Sequence, residues 1–264
     1  MSSPFDIFGL GADPDKPEES PARKAQLASS RPLPKRFYEN VEIAEEGGFV
    51  LHLDGRPVRT PARAIVKVDK KAIANVLAEE WRAQEKVIDP KKMPLTRLLN
   101  SAIDGVATTE ELVRDEIVRF SGTDLLCYRA DEPERLVARQ NALWDPVINW
   151  AQETYACRFL LAGGVMHVEQ PDETKQAMER VINDYKDPVT LAALHSMTTL
   201  LGSTLLALAV SAGYRTMQEA WDAAHLDEDW NIELWGTDED AIARRAYRFE
   251  EMKAAAIVLS LIHI

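Results

Sequence analysis

The chain has 264 residues, enough for one large domain or two small ones, and 46% of them are hydrophobic, an ordinary share for a globular protein. Its 31 Lys and Arg stand against 43 Asp and Glu, a formal charge of −12. That balance argues against non-specific nucleic-acid binding and against anionic membrane surfaces, both of which need basic patches; it permits a basic protein partner, with simple solubility the plainer reading of the charge. Cys127 and Cys157 are the only cysteines, too few for a disulfide framework or a cysteine metal cluster, so a reducing compartment is expected.

Residues 1–34 are rich in Pro, Ser, Asp, Glu and Lys and read as a flexible arm, with one short apolar patch at Phe5, Ile7, Phe8 and Leu10. Early acids and the lack of an apolar core segment argue against a signal peptide, and the acidity argues against a mitochondrial transit peptide. Residues 35–93 read as a small α+β domain. The segments FYENVEI, FVLHL, PVRT and AIVKV suit short strands, with hairpin turns expected at Glu45-Glu46-Gly47-Gly48 and Asp54-Gly55. A helix capped by Asp69 should then lay Ile73, Val76, Leu77 and Trp81 over the sheet. The patterning changes at Met93-Pro94, which places the boundary of a mostly α-helical domain, residues 94–264, at that point.

Within 94–264, Leu95, Leu98, Leu99, Ala102, Ile103 and Val106 form one helical stripe. Thr108 with Glu111 resembles a capping box for the next helix. Asp124–Arg129 is ambiguous between a helical turn and a strand. Pro133 should open a helix, and Pro146 should either start a second one or kink the first, because proline breaks a helix interior; Trp144-Asp145-Pro146 reads as a helix-starting corner with Asp145 as cap rather than as a site. FLLAGGV reads as an apolar loop or short extended piece. Asp172 and Thr216 are expected caps. The stretch Pro188–Tyr214 contains no Asp, Glu, Lys or Arg. Its Ser, Thr and His content argues against a membrane span and for a buried helical hairpin or kinked rod, with the kink or break at Gly202-Ser203, an end at Gly213 and Thr199 inside it. The last helix should bury Ile242, Ala246, Phe249, Met252, Ala256 and Leu259.

Sequence signatures of phosphate loops, serine hydrolases, zinc proteases and redox dithiols are absent. His195 reads as a neutral core histidine with one hydrogen-bond partner, and His225 with Asp227 as helix-end residues. Two polar sets stand out. Arg97, Asn100 and Asp104 share one helix face, either as a polar contact strip or as a structural bridge. The segment Leu226–Asp240, LDEDWNIELWGTDED, joins Trp230 and Trp235 to a cluster of acids, either as a contact surface for a basic partner or as core rings with capping acids.

The blocks RFYENVEI, LDGRPVRTPA, EEWRAQEKVIDPKKMPLTRLLNSAIDGV, DLLCYRAD, LWDPVINWA and AAHLDEDWNIELWG, in this order over about residues 36–260, resemble the assembly chaperones for the α subunit of the F-type ATP synthase head. The resemblance implies a non-enzymatic protein without nucleotide, metal or other cofactor. It would have a small α+β N-terminal domain and a helical C-terminal one, and would hold the free α subunit until β arrives. It carries over two positions, Trp81 as the tryptophan of the EEW block and Glu239 as the acid after Trp235-Gly236. Trp81, Trp144, Asp145 and Pro146 are expected to be structural. Glu239, Trp235, Asp238, Asp240, Arg97, Asn100 and Asp104 are the client-binding candidates. The acidic start resembles an alphaproteobacterial, cytoplasmic member with no stable membrane insertion. Leu261–Ile264 matches no family feature. Two other readings stay open: a carboxylate-based enzyme with a site near Asp104 and Glu239, and a stable structural subunit of a complex.

Overall fold

Two tight turns set the register of the first sheet. In a computed structural model that describes residues 32–164 and 166–260, strand β1 (Val41–Glu45) pairs antiparallel with β2 (Phe49–Leu53), Ile43 opposite Leu51. Gly47 and Gly48 close that hairpin at φ 63° and 140°, angles that glycine adopts without strain. Asp54 and Gly55 make the next turn, both at positive φ, as a two-residue hairpin requires. The Asp54 carboxylate then receives the backbone N–H groups of Glu39 and Asn40 at 3.1 and 2.8 Å, which hold it below the usual aspartate range. Strands β3 (Arg56–Pro57) and β4 (Lys67–Val68) each pair with β2.

Helix α1 (Lys71–Arg82) covers the sheet through buried Ile73, Ala74, Leu77 and Ala78, and Arg82 donates to the carbonyl of Val41 at 2.8 Å. Its N-cap is Lys70 rather than Asp69. Helix α2 (Pro94–Asp104) follows. Glu80 of α1 accepts the Leu95 and Thr96 N–H groups at 2.7 and 2.8 Å, so one helix supplies the missing acceptor at the start of the next. The chain divides into two compact units, the first ending at Thr108 and the second starting at Thr109. The division therefore falls after Thr108 and not at Met93-Pro94, and the Glu80 cap gives the physical reason that α2 stays with the sheet. The patch Phe5, Ile7, Phe8 and Leu10 and the C-terminal Leu261–Ile264 lie outside the described residues. Of the arm, Pro34 accepts the Ile88 N–H at 2.8 Å.

The second unit is helical. Helix α3 (Glu110–Gly122) starts with Thr109, not Thr108, at its N-cap. A 3-10 turn, Leu125–Cys127, runs straight into β5 (Tyr128–Arg129), so the ambiguous segment is both a turn and a strand. Helix α4 spans Glu134–Tyr155 without interruption through Pro146. The expected corner at Trp144-Asp145-Pro146 is thus overturned: Asp145 caps nothing and instead pairs with Arg129 at 2.7 Å, while Trp144 is fully buried. Strand β6 (Ala162–Gly163) pairs parallel with β5. A Cβ on Gly163 would lie 2.5 Å from the Asp131 carboxylate, so a larger residue there would require that exposed side chain to swing aside. In α5 (Asp172–Asn183) the N-cap is Pro171, and Asp172 sits in the first turn.

The charge-free stretch forms α6 (Pro188–Leu201) and α7 (Thr204–Ser211), the centre of the second core. Gly202 ends α6 in the left-handed region at φ 63°, and Ser203 caps α7 through the N–H of Leu206 at 3.0 Å. Every residue of α7 is buried. Thr199 is not: it sits on an exposed edge of α6, whereas its neighbour Thr198 is fully buried. Asp124 reaches into the break and accepts the Leu126 and Leu205 N–H groups at 3.1 and 3.0 Å. Helix α8 (Met217–Ala224) opens with a full capping box from Thr216 and Glu219. Helices α9 (Leu226–Trp235) and α10 (Glu239–Ser260) complete the unit. Met252, Ala255, Val258 and Leu259 of α10 are buried, but Ile242 and Ala246 of its first half are exposed. No helix among the described residues is long and apolar enough to cross a membrane.

Candidate functional site

The two tryptophans of Leu226–Asp240 have opposite surroundings. Trp230 is 8% exposed and Trp235 is 84% exposed. The Arg139 guanidinium lies 5.1 Å from the Trp230 ring centre and also pairs with Glu233 at 2.7 Å. Arg245 of α10 grips Asp229 through both carboxylate oxygens. These contacts hold α9 in place and neutralise two of its acids, and Gln140 takes a third by donating to Asp227 at 2.8 Å. Trp235 ends α9 beyond all of them, just before Gly236 turns the chain at φ 79°.

Asp238 accepts the Ala241 N–H at 2.6 Å, so it is the acid that satisfies the start of α10. Glu239 and Asp240 occupy the first turn and are exposed. None of Asp238, Glu239 and Asp240 makes an ion pair among the described residues. Beside them a cleft of about 290 Å³ opens between α9 and the first half of α10, lined mainly by Trp221, Ile232, Ala241, Ile242, Ala246 and Phe249, with Glu228, Thr237 and Arg245 also on its wall. A second hollow, bounded by Trp235, Gly236 and Asp238, continues it.

The other polar set lies in the first unit. Arg97, Asn100 and Asp104 share one half-buried face of α2. Asp104 accepts the Ala62 N–H at 3.0 Å and so fixes the loop after β3. The charge of Arg97 acts on Glu80, whose carboxyl burial pushes upward and the Leu95 and Thr96 N–H groups pull back. Trp81 is half-buried against Tyr38, ring centres 5.6 Å apart, and the Tyr38 hydroxyl donates to the Trp81 carbonyl at 2.7 Å. Asp104 and Glu239 belong to different units.

His195 and His225 are both buried and held by local partners. His195, 5% exposed, meets Glu116 at 3.0 Å, and burial holds its imidazole below the usual range. His225 lies tilted against Trp221, ring centres 3.9 Å apart, and is likewise lowered by burial. Asp227 serves Gln140 rather than His225. Among the described residues no group of three or more His, Cys, Asp or Glu could hold a metal ion. Burial raises the thiols of Cys127 and Cys157, which favours the unreactive protonated form.

Sequence patterning missed the cleft. The stripe Ile242, Ala246, Phe249, Met252 is continuous, and periodicity identifies a face without saying how far along it a neighbour reaches. The alanines at 241 and 246 were the available signal, since small residues leave room where no partner helix closes in.

A small antiparallel sheet followed by a larger helical unit defines an α+β architecture that solved structures share. A protein of Agrobacterium tumefaciens superposes with TM-score 0.84 at 48% identity, covering 92% of this chain and 91% of that one. Atp12 from Paracoccus denitrificans superposes with TM-score 0.80 at 40% identity over 86% of this chain and 98% of that one. The family model for the ATP12 chaperone protein matches residues 35–152. The mitochondrial protein atp12 of Schizosaccharomyces pombe is 27% identical over 229 residues, 81% of this chain and 79% of that protein. With identity and coverage at this level, the chain belongs to the ATP12 chaperone family.

Proposed function

We propose that the protein is an ATP-independent assembly chaperone for the catalytic head of the F-type ATP synthase. It binds the free α subunit and covers the surface through which α later pairs with β. The likeness to Paracoccus Atp12 along nearly the whole of that protein carries the reading. A subunit of an oligomer exposes an apolar interface until its partner arrives, and such a surface aggregates. A holder needs only a complementary surface and no catalytic group. Exposed Trp235 beside Asp238, Glu239 and Asp240 is the best-equipped surface for that role, and its charge suits a basic client face. The work is done in the bacterial cytoplasm, where α is made. The test is co-expression with tagged α or tagged β, each without the other. Capture of α and not of β is expected; failure to capture α removes the reading.

A further inference from the structure

We propose that the cleft between α9 and the first half of α10 is the seat for one segment of the client, an apolar side-chain pair or short helix face flanked by Lys or Arg. The inference rests on the α-subunit reading above and adds the place and chemistry of contact.

Three observations carry it. The cleft wall is mostly apolar, from Ile232 on one helix to Ile242 and Phe249 on the other, with Glu228, Thr237 and the Asp229-paired Arg245 as its polar members. Ile242 is nevertheless 55% exposed and Trp235 84% exposed. Uncovered apolar surface of this kind, framed by polar residues, marks a contact site. Its shape follows from the chain: Gly236 redirects the backbone, only the second half of α10 is buried, and Ala241 and Ala246 keep the floor low. Two apolar walls with small residues between them accept the apolar face of an incoming segment.

Charge selects the occupant. Asp229 and Glu233 are already matched by Arg245 and Arg139. Asp238, which bounds the adjoining hollow, and exposed Glu239 and Asp240 next to it in the chain are not matched by any base among the described residues, so they leave net negative charge at the start of α10. A second copy of this chain would bring the same acids against themselves, on a molecule of formal charge −12. A basic flank gains from that field, and like charge at an interface is costly.

The experiment measures the affinity of purified, isolated α subunit for the full-length chain, its Ala246→Trp variant, which fills the cleft from an exposed position, and Trp235→Ala. Leu112→Ser, at an exposed apolar site on α3, is the control. Both cleft variants are expected to melt with the wild type yet bind α at least about tenfold more weakly. Wild-type affinity should fall as ionic strength rises, and Leu112→Ser should bind normally. Wild-type capture with unchanged affinity in both cleft variants overturns the seat and leaves the α-subunit reading standing. No capture by the wild type overturns both. Concentration-dependent dimerisation that Ala246→Trp abolishes assigns the cleft to a second copy and overturns the proposal. If Ala246→Trp unfolds, Trp235→Ala and Ile242→Ser decide the outcome in its place.

Discussion

The indole N–H of Trp144 donates to the carbonyl oxygen of Ala223 at 2.8 Å. A fully buried ring on α4 thereby satisfies a carbonyl in the last turn of α8, one of those a helix end leaves without an internal partner. Trp144→Phe keeps most of the packing and strands that carbonyl. It should destabilise the protein by about 1–3 kcal/mol, read from urea unfolding. A loss no larger than that of an exposed substitution would show that water reaches Ala223.

Thr198 and Thr199 are neighbours with opposite fates. Thr198 is fully buried, whereas Thr199 is exposed and donates to the His195 carbonyl at 3.0 Å. Thr198→Asp should cost about 3–5 kcal/mol because its charge would have no partner. Thr199→Asp should stay within about 1 kcal/mol of wild type, as surface changes usually do. Thermal melts of the pair check this, and equal losses would contradict the placement of α6.

The difference between those residues shows what the sequence could express. The absence of charge from Pro188 to Tyr214 made burial legible, and Gly202-Ser203 made the break legible, since a left-handed residue and an N-cap have distinct side-chain chemistry. Which edge of α6 meets solvent was not legible, because a helix surrounded on nearly all sides has almost no amphipathic signal. Pro146 misled for a related reason: α4 carries it internally, where burial of Trp144, Val147 and Ile148 offsets one lost backbone bond. At the candidate site, Trp235 and the acids could be named from composition. The separation of exposed Trp235 from buried Trp230 depends on Arg139, far back in the chain, and on Arg245 of the following helix, whose pairing with Asp229 no local pattern reveals.

Burial raises the Asp124 carboxyl to about 6, even though the N–H groups of Leu205 and Leu126 and the Ser203 side chain all pull it down. The folded value lies above the unfolded one, so the folded protein keeps a proton that the unfolded chain releases. This group therefore contributes stability at low pH that is lost as pH rises through about 6, an effect of about 2–3 kcal/mol between pH 4 and 7. His195 has the opposite sign: its folded value is lowered, so its contribution is lost as pH falls below the unfolded histidine range. The stability gap between wild type and Asp124→Asn, measured by urea unfolding across this range, should narrow as pH rises. A gap independent of pH would mean that Asp124 stays ionised in the fold.

Trp81→Arg should destabilise the first unit. The ring packs against Tyr38 but is only half-buried, so the loss should fall near or below the low end of the roughly 3–5 kcal/mol typical of a fully buried ring. A variant that melts with wild type yet fails to hold α would move Trp81 from the fold to the interface.

Asp238 and Glu239 separate structure from recognition. Asp238→Ala removes the acceptor for the Ala241 N–H and should cost about 1 kcal/mol of stability. Glu239→Lys leaves that bond intact, so it should melt close to wild type while weakening α capture, with the deficit greatest at low salt. Normal capture by Glu239→Lys at both low and high ionic strength would leave the residue as a first-turn acid of α10 and nothing more.

Asp124 has one further consequence, for the order in which the chain is made. Its carboxylate joins Leu126, two residues away, to Leu205, 81 residues further along. The break between α6 and α7 therefore closes only after position 205 has left the ribosome, and α10, which packs on α6, comes later still. The sheet unit is complete by Thr108, and contacts this distant in sequence form slowly. A chaperone with this topology passes through an interval of synthesis in which its own apolar centre lacks cover, and mutations that slow closure at Asp124 should lower yield during translation more than they lower the stability of the finished protein.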